Sequence, residues 1–130
     1  MKPERVDLQG VSNERDLIDR VVRTRLREVE RLAGGLEARD NQVLHDFRIA
    51  CKRLRYALER FEAIDPSLHD AAERLARLQD ALGEAHDRDV LLMILPPPMA
   101  QTQRRLRRER EECVDQAASL WIELRDLISL

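Results

Sequence analysis

Lysine is nearly missing from this chain: of its 23 basic residues, only Lys2 and Lys52 are not arginine. Guanidinium forks match phosphate oxygens in pairs, although an arginine-rich coding bias would produce the same skew. Aromatic residues are as scarce, with one Trp, one Tyr and two Phe, which leaves little for stacking nucleic-acid bases. Cys51 and Cys113 lie far apart and form no CxxC pair, so neither a disulfide framework nor a thiolate zinc site is expected. No apolar run is long enough to span a bilayer, and the opening MKPERVDLQG has no apolar signal core. Cytoplasmic residence is the expectation. A formal net charge of −2 provides no overall field toward nucleic acid, so any anion site must arise from local segregation of charge.

Signatures of catalysis are missing too. There is no glycine-rich phosphate loop, no GxSxG, and no Glu-x-x-His of the di-iron bundles. His45, His69 and His86 fall in three different segments without HExxH or HxxxH spacing. Asp80, Asp87 and Asp89 could hold magnesium in principle, and His86 with Asp87 and Asp89 could make an oxygen-rich site, but Asp-rich turns more often cap helices. The expectation is a non-enzyme with no metal and no cofactor.

What is present is helical periodicity. The 130 residues suffice for one domain burying roughly two-thirds of its unfolded surface. A first helix is expected from about 13 to 33, capped by Ser12 or Asn13, stopped by Gly34 and Gly35, and buried through Ile18, Val22, Val29 and Leu32. Arg25 interrupts that stripe. A second helix covers about 41 to 64. A third, capped by Asp65 with Pro66 at its first position, runs to about 95 with a break near 83–88 at Gly83. Pro96, Pro97 and Pro98 end it. A fourth, from about 99 to 130, is charged on almost every side between Arg104 and Glu112, then carries a seam of Val114, Ala117, Leu120 or Trp121, Leu124, and Leu127 or Ile128. With connections this short the simplest packing is an all-α antiparallel four-helix bundle.

The second helix carries the most information. In LHDFRIACKRLRYALERF, Leu44, Phe47, Cys51, Leu54, Leu58 and Phe61 form an apolar seam at spacings of three and four. His45, Arg48, Lys52 and Arg55 repeat those spacings one position along, roughly 110° around the helix from the seam's centre. Asp46 and Glu59 are too few to neutralise the stretch by intrahelical pairing. Arg53 and Arg60 point away from the row and read as solvated. The fourth helix has a denser basic cluster, Arg104, Arg105, Arg107, Arg108 and Arg110, but glutamates follow it at once.

These residues resemble a known family. His45, Arg48, Lys52, Arg53, Leu54, Arg55 and Tyr56, followed by Leu78-Gln79-Asp80, Leu82-Gly83 and Asp87, resemble the CHAD domain, the conserved histidine α-helical domain, over about Leu44 to Leu95. The resemblance implies an all-helical fold that binds inorganic polyphosphate through basic residues lining a groove, in some cases at polyphosphate granules. It assigns phosphate contacts to His45, Arg48, Lys52 and Arg55, with Arg25 and Arg108 added from helix polarity. A full domain of this kind holds two four-helix halves, and this chain supplies one, closer in wording to the second. A homodimer, or a partner supplying the other half, is therefore expected. A helical protein-interaction scaffold is the alternative reading, a metal-dependent phosphohydrolase ranks below it, and nucleic acid is not an expected partner.

Overall fold

The computed structural model describes residues 2–128. Four long helices carry the fold: α1 Glu14–Leu32, α3 Asn41–Glu62, α4 His69–Ile94 and α5 Ala100–Ile128, with a single-turn helix α2 at Gly35–Ala38 and a 3₁₀ turn at Pro66–Leu68. No strand occurs among the described residues. The final two positions of the expected fourth helix, Ser129 and Leu130, lie outside them.

Local chemistry sets the helix boundaries. The Asn13 side chain accepts a hydrogen bond from the Asp16 amide (2.9 Å) and so caps α1. Asp40 does the same for α3 through the Val43 amide (3.3 Å). Asp65 accepts from the Ser67 amide (3.1 Å) at the 3₁₀ turn, whose first residue is Pro66. The glycine pair does not simply stop α1. Gly35 opens α2, and the reversal into α3 is made by Arg39 in a left-handed conformation (φ 58°). Gly35 is there for space: a Cβ would sit 2.7 Å from Val43 Cγ1 and 3.1 Å from the Val43 carbonyl oxygen.

The break expected near 83–88 does not exist. α4 runs unbroken from His69 to Ile94, straight through Gly83. A lone glycine costs a helix only about 1 kcal/mol relative to alanine. Its neighbours Leu78, Ala81, Leu82 and Ala85 are all buried, so packing outweighs that cost. The helix ends where the three prolines begin.

α3 is the hub, packing on α1 at one flank and α4 at another, while α4 also packs along α5. Phe47, Cys51, Leu54 and Leu58 are completely or almost completely buried, which places the α3 seam at the centre of the core. Leu75, Leu78, Val114, Ala117 and Leu124 meet it from α4 and α5. Phe47 and Trp121 touch edge to face, with centroids 6.0 Å apart at 87°. Cys51 is a buried hydrophobe whose thiol is pushed far up by burial, so it has no thiolate chemistry.

Candidate functional site

With its seam fixed in the core, α3 must hold its basic row at the core's edge. Arg48 is half-buried there, and its guanidinium passes over Gly83 of α4, with Nη2 4.0 Å from where a Cβ would stand. A methyl group at 83 would make ordinary contact there, whereas a side chain longer than alanine's would compete for that space. Gln79, four residues earlier and so on the same face of α4, has a buried Oε1 with no hydrogen-bond partner among the described residues.

Between the first half of α3 and the last half of α4 lies a groove of about 200 Å³. His45 and Arg48 line it from α3; His86 and Asp89 line it from α4. Among the described residues no carboxylate oxygen comes within 4.0 Å of Arg48 or Lys52, so neither cation is neutralised. Lys52 is exposed, with Nζ 5.6 Å from the centre of the Tyr56 ring. Arg55 lies 5.4 Å from the same ring. Its Nε approaches Glu59 at 3.3 Å, an ion pair without hydrogen-bond alignment.

Two of the expected cations are not part of this groove. Arg25 is bonded to Glu28 and donates to the Glu4 carbonyl (3.1 Å). Glu28 is almost fully buried, and it also accepts from the Glu4 amide (3.0 Å) and faces Arg53 Nη1 at 3.9 Å. Arg25 therefore completes a buried ion cluster joining the N-terminal segment, α1 and α3. Arg53 belongs to that cluster instead of pointing into solvent. Arg108 stands 70% exposed on α5 with Glu112 at 3.9 Å, one turn further along. It lines a separate shallow surface with Arg104 and Arg105.

The cation that sequence reasoning missed is Arg110, which is 8% exposed. It donates to Asp89 (3.1 Å), Glu111 (2.9 Å), the Arg39 carbonyl (2.7 Å) and Asn41 Oδ1 (3.0 Å). Arg39 in turn pairs with Glu111 (2.6 Å) and Asp115. The hydrogen bonds that Arg39 donates to Asp115 and then to Glu111 raise its pKa, and the same bond to Glu111 lowers that of the carboxyl. This network ties the α2–α3 reversal to α4 and α5. It also occupies Asp89, so an oxygen-rich metal site with His86 and Asp87 loses one of its donors. At the other end of α4, exposed His69 contacts Glu62 and lies 3.5 Å from Glu73. The hydrogen bond to Glu62 raises its pKa. His69, Asp70 and Glu73 bring ligand atoms within 4.8 Å of one another; the spacing of His69 and Glu73 by four was the available signal. As arranged, His69 joins Glu73 of its own helix to Glu62 across the α3–α4 turn, at an exposed site.

The CHAD domain family matches residues 4–96. The chain belongs to the CHAD family. The match begins in the N-terminal segment that closes over Glu28 and ends at the first proline after α4. It thus includes the whole groove and leaves out α5. Among curated proteins and among solved structures, no match was found. No helix is long and apolar enough to cross a membrane among the described residues.

Proposed function

We propose that this CHAD chain binds inorganic polyphosphate, or a closely similar polyanion, along the row His45, Arg48, Lys52 and Arg55, without catalysing a reaction. The observation that carries this reading is Arg48, a half-buried guanidinium at a groove with no carboxylate partner among the described residues. Exposed arginines are left unpaired at little cost, because water solvates them. A partly desolvated one gains from a polyanion what it lacks from the protein. Lys52 and Arg55 extend the charge along α3, and from Arg48 to Arg55 the helix rises about 10 Å. That suits a ligand carrying repeated negative charge. The family match supports the same substrate class, since CHAD domains are known in general for polyphosphate.

The helices are read as an antiparallel bundle forming half of a CHAD domain. A second copy of the chain, or another CHAD half, supplies the opposing wall. Residence is cytoplasmic, with polyphosphate granules the natural point of association. Isothermal calorimetry with long-chain polyphosphate at low salt tests the central reading, and competition with RNA tests its selectivity. Binding that RNA displaces poorly is the expected result; undetectable binding would overturn it.

A second reading has its own observation. Val90, Leu91, Met93, Ile94 and Met99 are all exposed around the end of α4, a concentration of apolar surface suited to a protein partner. A scaffold acting through that end would keep its assembly state when Arg48 and Lys52 are reversed in charge. It would lose it when Met93 and Ile94 become Ser.

A further inference from the structure

The groove at the His45 end of the row contains surface that a bare polyphosphate cannot use. Leu44, Leu82, Ala85, Val90 and Met93 contribute apolar side chains to its lining. A ligand charged at every unit loses solvation and gains nothing by covering them. The single carboxylate of the lining, Asp89, is engaged by Arg110 at 3.1 Å. Its charge is compensated from behind and does not repel an arriving anion. Asn41 and Gln42 add amide groups beside it. The lining is therefore amphipathic, with a compensated carboxylate, two amides and the imidazoles of His45 and His86 among apolar groups, and an uncompensated cation, Arg48, where the groove meets the row.

We propose that this groove receives the base of a nucleoside polyphosphate, with the phosphates leaving past Arg48 toward Lys52 and Arg55. This rests on the reading of α3 as an anion face and narrows its ligand class. Size favours it: pockets for whole drug-sized ligands run to about 300–1,000 Å³, whereas about 200 Å³ accommodates one flat ring system. Connectivity favours it as well. Arg48 belongs both to the groove lining and to the basic row, so a ligand whose apolar and anionic parts are covalently joined can satisfy both at once. Inorganic polyphosphate can occupy the row and leaves the groove empty.

The test compares three probes on the full chain by calorimetry at one ionic strength and without added metal: adenosine triphosphate, inorganic tripolyphosphate and adenosine. Adenosine triphosphate should bind about tenfold or more tightly than tripolyphosphate, and adenosine weakly. Val90→Trp, at a position already 43% exposed and so tolerant of change, should remove that preference while leaving tripolyphosphate affinity unaltered. Ala85→Leu should do the same from the buried side if the variant folds. Equal affinity for the two triphosphates, or a preference that survives Val90→Trp, overturns the inference. So does a wild-type chain that binds tripolyphosphate but no nucleotide. The two readings fail separately. Tripolyphosphate binding without nucleotide preference sinks only the base pocket. Nucleotide binding indifferent to charge reversal at Lys52 and Arg55 retains the pocket and sinks the anion row.

Discussion

Two of the arginine-rich helices, α3 and α5, use their cations differently. On α5, Arg105 faces Glu109 at 3.7 Å and Arg108 faces Glu112 at 3.9 Å, each one turn along the same helix. Arg110 is withdrawn into the fold altogether. On α3, Arg48 and Lys52 have no such partner among the described residues; of the row, Arg55 alone meets a glutamate, Glu59, while Arg53 on another face is held by Glu28 of α1. Similar composition therefore gives a surface neutralised, among the described residues, at Arg105 and Arg108 but not at the exposed Arg104 and Arg107 in one place, and a row with a half-buried unneutralised cation, Arg48, in the other. What differs is the position of the acids. Glutamates four residues on quench a cation locally, and α3 offers them only at its far end.

The sharpest way to break this contrast is to reverse charge in both places. Arg48→Glu with Lys52→Glu should weaken long-chain polyphosphate binding by about a hundredfold or more, since attraction becomes repulsion at two phosphate contacts. Arg105→Glu with Arg108→Glu should change it by less than about threefold. Both pairs should retain wild-type helicity by circular dichroism. Equal losses would mean that the two stretches act as one surface.

The next largest effect concerns the buried cation. Arg110→Ala leaves Asp89, Asn41 and the Arg39 carbonyl without their donor, and should cost about 3 kcal/mol in urea denaturation. Gly35→Ala should cost about 2 kcal/mol, because the new methyl group meets Val43 at 2.7 Å in a turn that must shift to admit it. A cost below about 0.5 kcal/mol would show that the α2–α3 reversal yields easily.

The smallest effect is a pH dependence. Arg39 holds the Glu111 carboxyl below its ordinary value of 4.5. A depressed acid contributes stability that is present above its unfolded pKa and is lost as pH falls through the folded one. Glu111 is 48% exposed, so solvent screening keeps this contribution under about 1 kcal/mol. Glu111→Gln should therefore show a slightly shallower loss of stability on acidification below pH 4.5, measured by denaturation at several pH values.

Much of this was legible in the sequence because it is local. The α3 seam and the row beside it follow from spacing alone, and the buried Phe47, Cys51, Leu54 and Leu58 match that seam. Arg25 lies in an ion cluster away from the groove, and the signal for that was present. Glu28 stands three residues along the same helix and takes it up. Arg110 could not have been found this way. Its partners Asp89, Arg39 and Asn41 lie 21, 71 and 69 residues away, and only tertiary packing brings them together. The unbroken α4 is a similar case, in which burial on both sides of Gly83 overrides a local preference. Sequence spacing identified a charge row but carried no information about the groove at its end, which exists only because α4 crosses α3 there.

The most direct test of the displayed row is the salt dependence of polyphosphate affinity. Each cation that neutralises a phosphate releases counterions and steepens the fall of log affinity with log salt by roughly 0.7–0.9, on the scale known for nucleic acids. The wild-type chain should show a linear, steep decline, and Arg48→Ala with Lys52→Ala should reduce the slope by about 1.5. A slope that is flat in the wild type, or unchanged in that variant, would contradict the account.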